Sequence, residues 1–355
     1  MRLCYPPATA SLTCATDASM SLKAIAKDLG LSVTTVSRAL NGYDDVSADT
    51  KARVQAAADV RGYRPNTLAR RLKMGKIDAV GLIFPFTSHP LSNSAFVEMV
   101  GCITRELAKH EIDLLLVPDE LGTFSWRRLI ESKRVDAMLV AHTLNDDPRL
   151  LDLQQRNFPF LALGRSTCLT QDYAWFDFDN RAGMQMAVDH LAGLGHQRIA
   201  FLGENNQQSF ISQRRQGYLD GLMANKLPLN PQYVNKVSPS RRAGYQATQA
   251  LLALPQPPTA IVCDCNMHGE GAALALYEAG LLLSGAVSLI IYDGLPSDSL
   301  PDVAVTAIRQ GTREAVGLQI AEMTMALIRN EPMSQLQVLW QPELQAGVTA
   351  HPPKL

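Results

Sequence analysis

The chain has 355 residues, of which 46% are hydrophobic, 19% charged and 6% aromatic. That length suits two or three domains of ~150 residues, and the apolar content excludes disorder of the whole chain. No apolar run reaches the ~18 residues of a membrane span, and six cysteines in so long a chain are no disulfide framework. The net charge of −1 hides an asymmetry. Residues 20–76 carry 11 lysines and arginines against 5 aspartates, whereas 77–355 carry 21 basic against 28 acidic side chains. A basic head on a mildly acidic body fits a polyanion-binding module joined to a part with a different partner.

Residues 1–19 have no helical or strand period, and Pro6-Pro7 stands where the apolar core of an export signal would lie. Translation is expected to start at Met20, making 1–19 a non-native or disordered extension; Arg2 or Leu3 at the native N-terminus would contradict this. Without an export signal the expected location is the cytoplasm.

Ser21 is placed to cap a helix carrying Leu22, Ile25, Ala26 and Leu29 on one face, and Gly30 supplies a left-handed stop. Ser32 then caps a second short helix, VTTVSRAL, before Asn41-Gly42. Helix, tight glycine turn and helix make a helix-turn-helix. Val36, Ala39 and Leu40 form the inward face of the second helix. Thr34, Ser37 and Arg38 point outward, with Val33 and Thr35 at the edges. Small side chains admit such a helix to the major groove, and Arg38 can fork onto guanine. A third helix is predicted from a Ser47 cap through Val54, Ala57 and Ala58 to a stop at Gly62.

Pro65-Asn66 can open one more helix, but Thr67–Met74 gives barely two turns and buries almost nothing. Such a segment does not persist alone in water. It makes sense as a hinge that folds against DNA, with Arg70, Arg71 and Lys73 on phosphates and Leu72 as an apolar wedge in the minor groove.

The runs SLKAIAKDLGLSVTTVSRALNGYDDVS, RGYRPNTLARRLK and AVGLIFP, in that order, closely resemble the head, hinge and first core strand of the LacI/GalR family of bacterial repressors. The resemblance implies base reading by Val33, Thr34 and Arg38, and makes Leu72 the hinge leucine that opens the central step of a palindromic operator. The expected DNA-contacting set is Ser32, Val33, Thr34, Thr35, Ser37, Arg38, Asn66, Ala69, Arg70, Leu72 and Lys73. The body is similar to repressors of α-galactoside (raffinose-type) utilisation.

From Ile77 onward, buried-strand runs (IDAVGLIFP, IDLLLV, VDAMLVA, FPFLAL, then QRIAFLG, TAIVCD, VSLIIYD) alternate with amphipathic segments. Two such β-α series imply two doubly wound α/β lobes, with a ligand cleft at the carboxyl ends of the strands. The family resemblance implies the same: a periplasmic-binding-protein-like core of parallel sheets behind a helix-turn-helix headpiece. The chain is expected to pass between lobes near Phe178, Arg309 and Leu339. The domain scheme is therefore headpiece 20–64, hinge 65–76, first lobe 77–178 with 310–339, and second lobe 179–309 with 340–355.

Arg165, Arg214 and Asp293 follow strand-like runs, and one carboxylate with two guanidinium groups suits a polyhydroxylated ligand. Phe178 or Trp175 can supply an aromatic face. By resemblance, Arg214 (in RRQGY) and Asp293 (in IYDG) hold the main effector-contacting positions, and Phe178 an aromatic cleft position. Where many relatives read CDND, this chain has Cys263-Asp264-Cys265-Asn266, which moves the expected contact to Asp264 or Asn266. SHPLSNSAF (88–96) replaces a more common NPFF-type segment and offers Asn93.

Enzyme signals are weak. Gly269-Glu-Gly271 is half a dinucleotide fingerprint that lacks its third glycine, and no G-x-S-x-G, Walker or H-E-x-x-H run is present. His190 and His196 read as helix-end caps and Asp146-Asp147 as a solvated loop pair. No metal or cofactor is expected. The expected function is a dimeric repressor of a carbohydrate-utilisation operon, released from DNA by a small sugar. The alternatives are a cytoplasmic sugar sensor without DNA binding, and a sugar-processing enzyme. The C-terminal segment shows no leucine heptad, so a dimer is expected and not a coiled-coil tetramer.

Overall fold

The computed structural model describes residues 21–40, 43, 45–63, 77–85, 94–120, 123–296, 299 and 303–354. The N-terminal extension, the hinge positions Asn66, Ala69, Arg70, Arg71, Leu72 and Lys73, and Asn93 lie outside the described residues. The chain divides into two compact units, one ending at Ile77 and one beginning at Asp78.

In the first unit α1 (Leu22–Leu29), α2 (Val33–Leu40) and α3 (Ala48–Val60) enclose a small core of Ile25, Ala26, Val36, Ala39, Val46, Val54 and Ala58. Local chemistry sets the boundaries. Ser21 Oγ accepts from the Ala24 N–H and Ser47 Oγ from the Thr50 N–H, while Gly30 (φ 65°) and Gly62 (φ 61°) adopt the left-handed conformation that ends a helix. A core this small leaves little margin, and the Arg61 to Asp28 hydrogen bond (2.7 Å) ties the end of α3 back to α1.

The second unit holds two six-stranded sheets. The first contains β1 (Ala79–Pro85), β2 (Asp113–Asp119), β3 (Ala137–Val140), β4 (Phe160–Leu163), β5 (Ala174–Phe178) and β11 (Gln337–Trp340), in the order β11-β5-β4-β3-β1-β2, all parallel. The second contains β6 (Ile199–Glu204), β7 (Val234–Val237), β8 (Ala260–Cys263), β9 (Ser288–Tyr292), β10 (Thr306–Arg309) and β12 (Glu343–Gln345), in the order β12-β10-β9-β8-β6-β7. Only β12 runs antiparallel, a departure from the uniformly parallel expectation. Five strands were not among the predicted ones: β5, β7, β10, β11 and β12, each only three to five residues long.

Helices cover both sheets. α4 (Ser94–Ala108), α5 (Arg127–Glu131) and α6 (Pro148–Gln155) follow strands of the first sheet; α7 (Asn180–Gly193), α8 (Ser209–Ala224), α9 (Arg241–Leu252) and α10 (Asn266–Glu278) follow β5, β6, β7 and β8; α11 (Arg313–Ile328) packs on α4. In each sheet the first strand lies between the second and third, so the order reverses at β1/β3 and at β6/β8. Open α/β sheets bind ligands at the carboxyl end of that reversal. The chain passes between the sheets three times, after β5, after β10 and between β11 and β12. Those passages stand beside the same strand ends.

Several sequence readings change. Asp147 is no solvated residue: it is fully buried, caps α6 and holds the buried Arg149 guanidinium at 2.7 Å. Its neighbour Asp146 is the exposed one. His196 does not cap a helix. It is buried and bonds Thr259 Oγ1 (2.8 Å), Ser288 Oγ (3.0 Å) and the His351 carbonyl (2.7 Å), fastening the C-terminal segment to the second sheet. The Gly269/Gly271 pair serves packing: a Cβ on Gly271 would meet the Arg241 carbonyl at 2.0 Å, and one on Gly269 would meet Ile291 at 2.4 Å.

Candidate functional site

The headpiece offers its outward surface from α2. Ser32 Oγ accepts from the Thr35 N–H at 3.0 Å and shares a 2.8 Å hydrogen bond with the Thr35 hydroxyl, which commits Thr35 to the cap. Val33 and Thr34 are the side chains the first turn exposes, Val33 at 42%. Valine methyls at that place suit the apolar face of a thymine methyl. Arg38, in the last turn, donates from Nε to Asp45 (3.2 Å), and its guanidinium carbon lies 4.9 Å from the Tyr43 ring centroid. An exposed ion pair of this kind is worth at most about 1 kcal/mol, so Arg38 can exchange Asp45 for a base edge at small cost. Ser37 is half-buried on the same helix.

In the core, a cavity of about 210 Å³ lies between the two sheets at their carboxyl ends. Arg214, in the second turn of α8, forms its floor and is only 4% exposed. Nε donates to Asn180 Oδ1 at 2.9 Å, and Nη1 donates to the Asp264 carbonyl. The guanidinium carbon lies 3.6 Å from the Tyr292 ring centroid and 4.8 Å from that of Phe210, so the cation is held between two aromatic faces. Gly217, three residues on, lets α8 approach α7: a Cβ there would stand 2.1 Å from the Arg181 carbonyl. Asn180 is buried and central; its oxygen also accepts from Gln310 Nε2 at 3.0 Å.

Asp293 sits at the end of β9 with φ 67°, a conformation uncommon for a residue with a side chain. Arg309 Nη1 donates to the Asp293 carbonyl at 2.5 Å and holds the turn. The Asp293 carboxylate lines the cavity 3.7 Å from Arg214 Nη2. That is too long for a hydrogen bond, so both groups keep bonding capacity for a ligand hydroxyl.

The rest of the wall is largely aromatic: Phe96, Phe176, Phe178 and His142, with Phe210 of α8 beside Arg214. His142 pairs through Nδ1 with Gln208 Oε1 at 3.1 Å, and burial lowers its pKa. With the amide oxygen accepting, Nδ1 carries the proton and Nε2 is left as an acceptor. Asp177 and Glu204 also line the cavity; burial raises the pKa of both, and the nearby Asp264 adds to the effect on Glu204. Gln208 and Cys265 stand at the N-caps of α8 and α10 with no side-chain cap bond. Both helices thus begin at the cavity with backbone donors no cap side chain occupies.

The structure therefore brings Phe178, Arg214, Asn266 and Asp293 to one cavity. Arg165 does not line it: its Nε donates to Asp177 at 2.9 Å and its guanidinium lies over Trp175, behind the wall. Asp264 is also behind, fully occupied by the Glu204 N–H at 2.7 Å and His268 Nδ1 at 3.0 Å. Phe178 supplies the aromatic face and Trp175 does not. His142, Asn180, Gln208, Phe210 and Gln310 were not foreseen, because they stand in loops or at the first residues of α7 and α8 with no motif of their own.

Asp264, Cys265 and His268 bring possible metal-ligand atoms within 4.8 Å of one another. Both imidazole nitrogens are already engaged, Nδ1 by Asp264 and Nε2 by the Ser238 carbonyl at 3.0 Å. Two acceptors demand two ring protons, so His268 is an imidazolium paired with Asp264. Burial opposes that charge, but the Asp264 hydrogen bond and charge outweigh it and raise the pKa. The cluster is an ion pair beneath the cavity floor and does not fit a metal.

Residues 77–342 match the family described as periplasmic binding proteins and sugar binding domain of LacI family, and residues 21–66 match bacterial regulatory proteins, lacI family. The chain belongs to the LacI family. It is a transcriptional regulator with a DNA-binding helix-turn-helix headpiece and a core of the family's sugar-binding type. The HTH-type transcriptional regulator RafR of Escherichia coli is 51% identical over 94% of this chain and 99% of its own length. The regulator AglR of Rhizobium meliloti is 36% identical over 94% and 95%. The lac repressor dimer bound to operator and the anti-inducer ONPF superposes with a TM-score of 0.77 at 24% identity, over 93% of this chain and 99% of that one. That LacI-family fold comprises both parts described above. Among the described residues no helix is long and apolar enough to cross a membrane.

Proposed function

We propose that the protein represses a carbohydrate-utilisation operon from the cytoplasm, and that it works by binding and not by turnover. Residues 20–64 read DNA, 65–76 form the hinge, and 77–178 with 310–339 and 179–309 with 340–355 are the two lobes. A homodimer sets two α2 helices in successive major grooves of a palindrome, roughly 34 Å apart. Val33, Thr34 and Arg38 read bases. Ser32, Thr35 and Ser37 contact the DNA from the same helix; from the hinge Arg70 and Lys73 meet phosphates, Leu72 wedges into the minor groove, and Asn66 and Ala69 join the contact. A small sugar of the α-galactoside class then occupies the core cavity, between Arg214 and Asp293 on one side and Phe178 on the other, with Asn266 in reach.

The observation that carries this reading is the placement of that cavity. It lies where both sheets end and where the chain passes between them, so a ligand there touches both lobes. Contacts to both lobes favour one interlobe angle over another, and only such differential binding shifts a two-state equilibrium. The test is fluorescence anisotropy on a labelled palindromic operator with and without melibiose or raffinose. The expected result is tight, steeply salt-dependent binding that the sugar weakens. Operator binding that is indifferent to every sugar would refute sugar release. Turnover of the sugar would refute the non-enzymatic reading.

A further inference from the structure

The two lobes also meet away from the passages, along a short strand-like seam. The segment 142–145, which follows β3, lies against the segment 207–212, which runs from the loop after β6 into α8. Leu144 and Gln208 form an isolated antiparallel bridge. Around it the Ser209 N–H donates to the Thr143 carbonyl at 2.8 Å, and the Asn145 N–H reaches the Gln207 carbonyl at 3.4 Å. Side chains extend the seam at both ends. His142 Nδ1 bonds Gln208 Oε1, and Asn145 Nδ2 donates to Ser212 Oγ at 2.8 Å.

Each half of the seam is anchored in its own lobe. In the first, Arg149 Nη2 donates to the carbonyls of Ala141 (3.2 Å) and His142 (3.1 Å), while Asp147 holds the same guanidinium. The Asn145 carbonyl accepts from the Thr167 N–H at 2.8 Å and from the Ser166 hydroxyl at 2.7 Å. Within that frame His142 keeps φ 52°, a backbone state that a residue with a side chain holds only where its surroundings impose it. In the second lobe, Ser209 is the first residue of α8, the helix that carries Arg214. In sheet order the seam stands two strands from β5 and three from β10, so it lies roughly 10–14 Å from the passages. A rotation of the lobes about the passages therefore acts on the seam with leverage.

His142 and Gln208 are also walls of the cavity, whose volume of about 210 Å³ falls short of the roughly 300–1,000 Å³ of usual ligand sites. A sugar of two or more rings overfills that space and bears on its walls, so it favours parted lobes. Parting them breaks bonds at Ser209 and Asn145, which do not line the cavity and gain nothing from the sugar. We infer that the seam is a latch: it holds the interlobe angle of the operator-binding state, and the sugar releases DNA by forcing it open. Thr143, Asn145, Ser209 and Ser212 are positioning residues that set how much sugar release requires without touching the sugar. This rests on the reading of the protein as a sugar-released repressor and adds the element that opposes the sugar.

The test is Ser209→Pro. Proline is tolerated at the first position of a helix, and Gln208 before it already has the extended backbone (φ −65°, ψ 141°) that a following proline requires. The substitution keeps α8, deletes the N–H that bonds Thr143 and sets a ring carbon against that carbonyl. Ser209→Ala keeps the N–H and is the control. An equilibrium moved away from the latched state binds sugar more tightly and operator more weakly, whereas a general fold defect weakens both. Operator anisotropy and calorimetric titration of the full chain with melibiose and raffinose read the two affinities. Ser209→Pro should release operator at a sugar concentration lower by roughly five- to fiftyfold and bind sugar correspondingly tighter, with Ser209→Ala within about twofold of wild type. Asn145→Ala, half-buried and outside the cavity, should shift both in the same direction by roughly two- to fivefold, and it carries the test by itself where Ser209→Pro lowers the melting temperature. A release concentration that is unchanged or raised in Asn145→Ala overturns the latch alone. Failure of every sugar to release the wild type overturns the sugar reading and the latch with it.

Discussion

Replacing Arg214 by lysine keeps the positive charge at the cavity floor and removes the planar fork. The guanidinium has five N–H donors. One goes to Asn180 and one to the Asp264 carbonyl, leaving three toward Asp293 and the cavity. A lysine ammonium cannot span all these directions, and it loses the stack between Tyr292 and Phe210. Leaving the buried Asp264 carbonyl without its partner costs about 1–3 kcal/mol, and the lost stacking about 1–2 kcal/mol. Stability should therefore fall by about 2–5 kcal/mol, a melting temperature lower by roughly 5–15 °C for a core of this size. Sugar affinity should fall by roughly 10- to 100-fold through loss of one charge-assisted hydrogen bond of about 1.5–3 kcal/mol. Differential scanning calorimetry and titration with melibiose measure the two effects. Lysine at position 214 with wild-type sugar affinity would refute the argument, since charge alone would then suffice.

Arg38→Gln should relax base choice at one position per half-site by about 1–3 kcal/mol, read by competition among operators changed one base at a time, with sugar affinity unaltered. His268, held above its ordinary pKa by Asp264, contributes stability that is present below about pH 6.5 and is lost as pH rises through the raised value. The stability gap between wild type and His268→Gln should accordingly shrink toward alkaline pH in urea titrations, and a gap independent of pH would argue against the imidazolium. His142 and His196, lowered by burial, act in the opposite sense and lose stability as pH falls. Gly217→Ala should push α8 off α7, costing about 1–3 kcal/mol of stability, and weaken sugar binding by moving Arg214. Unchanged sugar affinity in that variant would show that α8 is not what sets the arginine.

What was legible in the sequence is what local chemistry decides. Ser21, Ser47, Gly30 and Gly62 end their helices by bonds to neighbours within a few residues, so the headpiece boundaries could be read directly. The central strands are buried on both faces and therefore appear as unbroken apolar runs. Edge strands β7 and β12 are half-exposed and mixed, and look like loop until a partner strand is known. In the site, proximity to a strand end was readable but side-chain direction was not. Arg165 and Asp264 both follow strands, yet Asp177 captures one and His268 the other, and those captors lie 12 and 4 residues away in sequence. The wall built by His142, Asn180 and Gln208 depends on two lobes meeting, and no single stretch encodes it.

The return of the chain to its first sheet has a consequence for biosynthesis. Strand β11 pairs with β5 from Trp175↔Gln337 to Phe178↔Trp340, after the whole second sheet except β12 has been made. At a synthesis rate of roughly 5–20 residues per second, the β5 edge waits some 10–30 seconds for its permanent neighbour. An open parallel edge is a template for wrong pairing, so the nascent first lobe is exposed to misassembly until β11 arrives. Slowing translation between residues 178 and 337 should lower soluble yield even where the sequence is unchanged.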